Sequence, residues 1–174
     1  MLPQPLLAAM GVAAPILSNL TTPSLNITAL TAANGVSLFE CWQMTTPFHQ
    51  SSESGIAGAL KLPLGEIGNV SYNVIPPRFD GGFHHSPALQ FVLFLSGLAQ
   101  ISLYEGDEQV WVHGGKYGLI LAADTADRTT NGHRTQYPSA AETIAIELPV
   151  RDPDALKYTV LHPGACRESE MTGL

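Results

Sequence analysis

The chain has 174 residues, 45% of them apolar and 13% charged, enough to enclose one core and hardly two. Its net charge of -7 and pI near 5.2 exclude the basic surface that nucleic-acid phosphates need. Past residue 20 no stretch of about 18 apolar residues occurs, so a spanning helix is excluded from the body of the chain.

Residues 6–17, LLAAMGVAAPIL, are an apolar run with small residues where a signal peptidase would cut. Residues 1–17 therefore read as a signal peptide, or as an N-terminal arm if retained, and residues 18–174 as one domain. Sequons at Asn19, Asn26 and Asn69 point to a glycoprotein of the secretory route or the extracellular space, with a cytoplasmic protein as the alternative. Short runs rich in Val, Ile, Thr and aromatics predict strands over 25–30, 36–44, 57–62, 70–75, 90–95, 100–104, 109–112, 117–122, 143–148 and 157–161. Turn chemistry separates them, including Asn34-Gly35, Asp80-Gly81-Gly82, Ser96-Gly97 and Asn131-Gly132. No helical period of helix length appears, so the fold class is all-β, a sandwich or closed barrel. The run FVLFL at 91–95 is apolar on both faces, which fits a central strand covered on both sides. Cys41 and Cys166 lack the spacing of a zinc or redox motif. They read either as two buried thiols or, given the leader, as a disulfide.

Residues 76–97, PPRFDGGFHHSPALQFVLFLSG, resemble the first cupin motif, in which a His-x-His, a glutamate and a closing glycine on a hairpin turn three ligands into a barrel. In this register Phe83 stands at the first histidine, His85 at the second, Gln90 at the glutamate, and Gly97 closes the pattern. The stretch from Gly115 to Asp127 is similar to the second half of the pattern, with Asp127 near its last histidine and the proline turn missing. The resemblance covers roughly residues 70–150 and implies a single cupin-like jelly-roll barrel. More narrowly, the chain looks like small cupin-like proteins of filamentous fungi, some encoded beside pathways of secondary metabolism. The same resemblance implies a homodimer through exchanged edge strands.

A cupin-type metal centre needs imidazole nitrogens and usually a carboxylate. His84 and His85 are adjacent, and neighbours on a strand face opposite ways, so only one ring looks inward. Gln90 offers a neutral carbonyl in place of a charge. No cofactor is therefore favoured; a divalent metal, if bound, would use His85, His133 and Asp127, with His84 as a further ligand. Without metal, His85, His84, Gln90 and Asp127 are the candidate catalytic groups, imidazole being able to take and return a proton near neutrality. Arg78, Phe83, Phe94, Tyr72 and Trp42 are the candidate substrate contacts. Each has a plainer reading: Gln90 as a buried amide, Arg78 and Asp80 as a loop pair, His133 as a surface turn histidine, Asp124 and Asp127 as turn residues, the aromatics as core.

These residues together favour a small-molecule enzyme of isomerase, lyase or cyclase type, acting by acid–base chemistry on a hydrophobic, natural-product-like substrate. The alternatives are a divalent-metal cupin dioxygenase and a secreted, non-enzymatic ligand-binding or cell-surface barrel. The latter would lack any inward polar cluster.

Overall fold

The computed structural model describes residues 23–171; the leader and the Asn19 sequon lie outside them. Strands follow in the order β1 (Ser24–Ala33), β2 (Val36–Pro47), β3 (His49–Gln50), β4 (Leu60–Lys61), β5 (Ser71–Ile75), β6 (Phe79–His84), β7 (Gln90–Ser96), β8 (Leu98–Leu103), β9 (Gln109–His113), β10 (Leu119–Ala122), β11 (His133–Tyr137), β12 (Thr143–Pro149) and β13 (Tyr158–Pro163). One 3-10 turn at Pro153–Ala155 is the helical element among the described residues.

A seven-stranded sheet has the order β13-β2-β1-β10-β7-β12-β5 and a four-stranded sheet the order β6-β11-β8-β9. From β5 to β12 the chain passes between the sheets so that β10-β7-β12-β5 faces β6-β11-β8-β9, which is the strand order of an eight-stranded jelly roll. The fold is thus the all-β jelly roll that the sequence predicts. Beyond it, β1 pairs in parallel with β10, and β2 and β13 extend the sheet. Asn34 and Gly35 both have positive φ, 54° and 81°, and close the β1–β2 hairpin as a two-residue turn whose twist suits the strands.

Two expectations change. The strand over 57–62 shrinks to Leu60–Lys61, paired only with His49–Gln50. Conversely, β6 and β11, FDGGFH and HRTQY, form strands where polar and glycine-rich sequence predicts turns. An Arg134–Asp80 pair fastens them: Arg134 Nε donates to Asp80 Oδ1 at 3.0 Å and Nη2 to Oδ2. Asp80 therefore partners Arg134 and not Arg78, which is exposed at the turn before β6 with φ 57°.

The middle of the seven-stranded sheet is covered on both sides. Phe94, Ile101, Ile120, Leu30, Phe39 and Val112 fill the barrel, while Phe91, Leu121, Ile27, Ala29 and Trp42 form a second core on its outer face. Leu62, Leu64, Ile67 and Leu156 cap that outer core. The expectation for 91–95 holds, since β7 turns Phe94 inward and Phe91 outward. Cys41 of β2 is disulfide-bonded to Cys166 beyond β13, closing a loop of sequence separation 125. Asn26, a sequon residue, sits on β1 with Nδ2 donating to the Glu170 carbonyl at 2.6 Å, so the atom that would carry a glycan is engaged. Asn69 is exposed in a bend before β5. No described helix is long and apolar enough to cross a membrane.

Candidate functional site

Alternation along three strands aims one set of side chains into the barrel. β7 contributes Gln90, Val92 and Phe94, β11 contributes His133, Thr135 and Tyr137, and β10 contributes Ile120 and Ala122 to a cavity of about 100 Å³. His84, the cross-strand partner of His133, stands at its rim with the two rings 4.4 Å apart.

Asp124 is the polar centre at this end. It follows β10 in inward register and is fully buried. Its carboxylate accepts from Ser37 Oγ at 3.0 Å, from Ser86 Oγ at 2.7 Å and from His133 Nδ1 at 2.7 Å. Thr129 supports the group, its Oγ1 3.2 Å from Ser37 Oγ. With Nδ1 committed to Asp124, His133 keeps Nε2 for the cavity. Gly132 makes the close approach of β11 to β6 feasible: its φ is +66°, and a Cβ there would lie 2.1 Å from the His84 carbonyl oxygen.

Burial pushes the His84 imidazole below its ordinary value, against the opposing pull of the Gly82 carbonyl on Nδ1, and the neighbouring His133 adds to the lowering. At neutral pH His84 is therefore uncharged, with Nδ1 donating to Gly82 at 2.9 Å and Nε2 an acceptor. Gln90 is 3% exposed and makes no side-chain hydrogen bond among the described residues, so its amide is available to a bound molecule. At the other end of the cavity, burial and the Glu147 charge push the Tyr137 phenol up to about 12, and Glu147 accepts from Ser71 Oγ at 2.9 Å.

The other predicted site residues scatter. The motif register gives the inward place to His85, but His84 takes it, because β6 ends there and His85 turns out into a groove. Asp127 is exposed in that same groove, three positions past the buried Asp124. His133 is 5% exposed and is no surface turn residue. Trp42 stacks on Tyr158 at 3.4 Å in the outer core, away from the cavity. Tyr72 is 61% exposed, and Phe83 is 50% exposed with its ring packed edge-on against Tyr104. Of the predicted substrate contacts, only Phe94 lines the cavity. Sequence reasoning overlooks Ser37, Ser86, Tyr137 and Glu147; the His-x-Thr-x-Tyr alternation at 133–137 is the signal that could have revealed the inward row.

The residues present do not make a conventional metal centre. Two imidazoles and a neutral amide meet in the cavity, and among the described residues the one close trio of metal-type side chains is Cys41, His162 and Glu170. Cys41 has no thiolate to give, its sulfur being in the disulfide.

No protein-family profile and no curated protein matches the chain. Among solved structures, it is similar to a conserved protein of unknown function, SPY1581 from Streptococcus pyogenes, at 20% identity and TM-score 0.34, over 48% of this chain and 65% of that one. It is also similar to the capsular polysaccharide assembling protein CapF from Staphylococcus aureus, at 16% identity and TM-score 0.38, over 80% of this chain and 34% of that one. The chain thus spans under two thirds of either, and at these scores the likenesses carry no argument about activity.

Proposed function

We propose that the protein is a small-molecule enzyme acting by acid–base chemistry, an isomerase, lyase or cyclase, with His133 as the proton-transfer group. The observation that carries this reading is the buried Asp124–His133 pair at 2.7 Å, which holds one ring nitrogen and leaves the other to an enclosed cavity. An inward polar cluster of this kind weighs against a non-enzymatic binding barrel. His133 Nε2 takes a proton from a carbon beside a carbonyl, Asp124 steadies the imidazolium, and the Gln90 amide donates to the developing enolate oxygen. The proton then returns from His133 or, after relay, from His84.

A cavity of about 100 Å³ is far below the roughly 300–1,000 Å³ that encloses a whole drug-sized ligand. It admits the reacting end of a substrate and not its entirety. The disulfide fits an oxidising compartment, and Asn69 is an exposed acceptor for a glycan there.

The test is deuterium wash-in from heavy water into a panel of small carbonyl compounds with acidic α-protons, followed by NMR. Exchange that falls by about a hundredfold or more in His133→Asn, with the unfolding midpoint retained, supports the reading. Compounds that shift the His133 resonance yet exchange at the solvent rate overturn it.

One observation favours the metal-dependent dioxygenase as second reading: a carboxylate on the far nitrogen is how a metal-ligating imidazole is commonly oriented. Metal analysis after chelator-free purification separates the two, since less than about a tenth of an equivalent is hard to reconcile with a resident ion.

A further inference from the structure

Outside the barrel lies a groove of about 880 Å³. It shares His84, Ser86 and Pro87 with the inner cavity. Leu89, Ala88, Val150 and Pro153 make much of its wall apolar, and His85, Asp127, Arg128 and Arg151 are its charged or titratable members beside His84. The chain is acidic at -7, with only 8 Lys and Arg in all, so two arginines on one groove mark a local reversal of charge.

The charges there are not equally engaged. The Asp127 carboxyl is held below its usual value by the Thr125 hydroxyl first and by its own backbone amide, with Arg128 adding to the effect. The Arg128 guanidinium donates to the carbonyls of Ala123 and Ala32 at 3.2 and 3.4 Å. Arg151 has no side-chain hydrogen bond or ion pair among the described residues. Below the groove surface, His85 Nε2 is the one buried side-chain polar atom of the described residues that lacks a partner. Buried polar atoms are seldom left unpaired.

Resting on the acid–base reading above, we infer that the substrate is an amphipathic carboxylate whose apolar body lies in this groove, with its carboxylate on Arg151 and its reacting end passing His84 into the barrel. The size mismatch between the two spaces supports this: a groove of about 880 Å³ holds the molecule, and a cavity of about 100 Å³ holds the part that reacts. Arg151 is the charge that selects it, because Asp127 and Arg128 offset each other. His85 is a binding residue of this groove and has no part in the proton transfer.

The test uses decanoate and decanol, which share an apolar body and differ in charge, titrated into the full-length protein with binding read from NMR shifts. Decanoate is expected to perturb Arg151 and His85 saturably and to bind at least about tenfold more tightly than decanol, with Arg151→Gln abolishing that preference. Equal affinity for the two probes, a preference that survives Arg151→Gln, or shifts confined to another surface would each overturn the inference. His133→Asn keeps the two proposals apart: decanoate binding unchanged in that variant supports the groove, whatever the exchange experiment says of His133. If binding to the groove disappears with His133→Asn while the fold is kept, the groove is not an independent anion site and the inference fails.

Discussion

Among the described residues two histidine–carboxylate pairs stand in opposite surroundings. His133 and Asp124 have side chains 7% and 0% exposed and meet at 2.7 Å, whereas His162 and Glu170 are 30% and 26% exposed and meet at 3.2 Å. In the outer pair both ring nitrogens serve acceptors, Nδ1 the Pro163 carbonyl at 2.7 Å and Nε2 the Glu170 carboxylate. That ring is fitted to keep its proton and to hold the C-terminal turn beside Cys166. The inner ring gives one nitrogen to a buried carboxylate and leaves the other toward the cavity. Identical functional groups thus differ in what the second nitrogen faces, a carboxylate at the surface for His162 and the barrel cavity for His133.

The largest expected effect comes from cutting the tether of the outer pair. Replacing Cys41 and Cys166 together by Ala should lower the unfolding free energy by about 4 kcal/mol, because the bridge closes a very long loop. Denaturant melts of the two proteins check this, and an unchanged midpoint would mean that the C-terminal tail adds nothing to the fold. Next in size is Asp124→Ala, which strands one imidazole nitrogen and the Ser86 hydroxyl in the interior, leaves Ser37 only Thr129, and should cost about 3 kcal/mol. Glu170→Ala should move the same melt far less, since a half-exposed pair contributes little. Comparable losses in the two variants would mean that the two pairs stabilise the fold equally.

Smaller effects appear with pH, and they run in opposite directions. His84 should titrate below 6.5 because burial disfavours its charge, and His162 above 6.5 because the Pro163 carbonyl and then Glu170 favour it. For His84 the unfolded chain takes the proton first, so stability falls as pH drops below 6.5. For His162 the folded chain holds the proton more tightly, so its contribution is complete below 6.5 and lost as pH rises through the folded value. Histidine NMR titrations separate the two, and matching curves would refute the assignment. Asp80, which the Arg134 hydrogen bond holds at about 2, acts at lower pH than either histidine. Its contribution is present above 3.8 and fades as pH falls through about 2, and Asp80→Asn should remove that acid-side loss from the melts.

Much of the architecture was legible in the sequence because apolar alternation reports it directly. β7 announced itself as doubly covered, and Asn34-Gly35 fixed the first hairpin. The site was less legible, for a physical reason: a strand that lines a polar cavity alternates polar residues inward, and so loses the contrast that marks a strand. β6 and β11 are the two jelly-roll strands that the residue pattern does not predict, and they carry His84, His133 and Tyr137. The choice of Asp127 over Asp124 failed on register, since the barrel interior is reached three residues earlier than motif spacing implies. Asp124 could be recognised only once Ser37, Ser86 and His133, distant in the chain, were brought against it.

The outer core on the seven-stranded sheet has a consequence for how freely the interior can change. Phe91, Leu121, Ile27 and Trp42 pack on the side of the sheet facing away from the barrel cavity, so a large share of the cohesive apolar contact is made outside that chamber. A keel outside the hull lets the hold be refitted: exchanges of Val92, Thr135 or Tyr137 that reshape the chamber leave that ballast in place, and the scaffold should accept new interior chemistries at modest cost in cohesion.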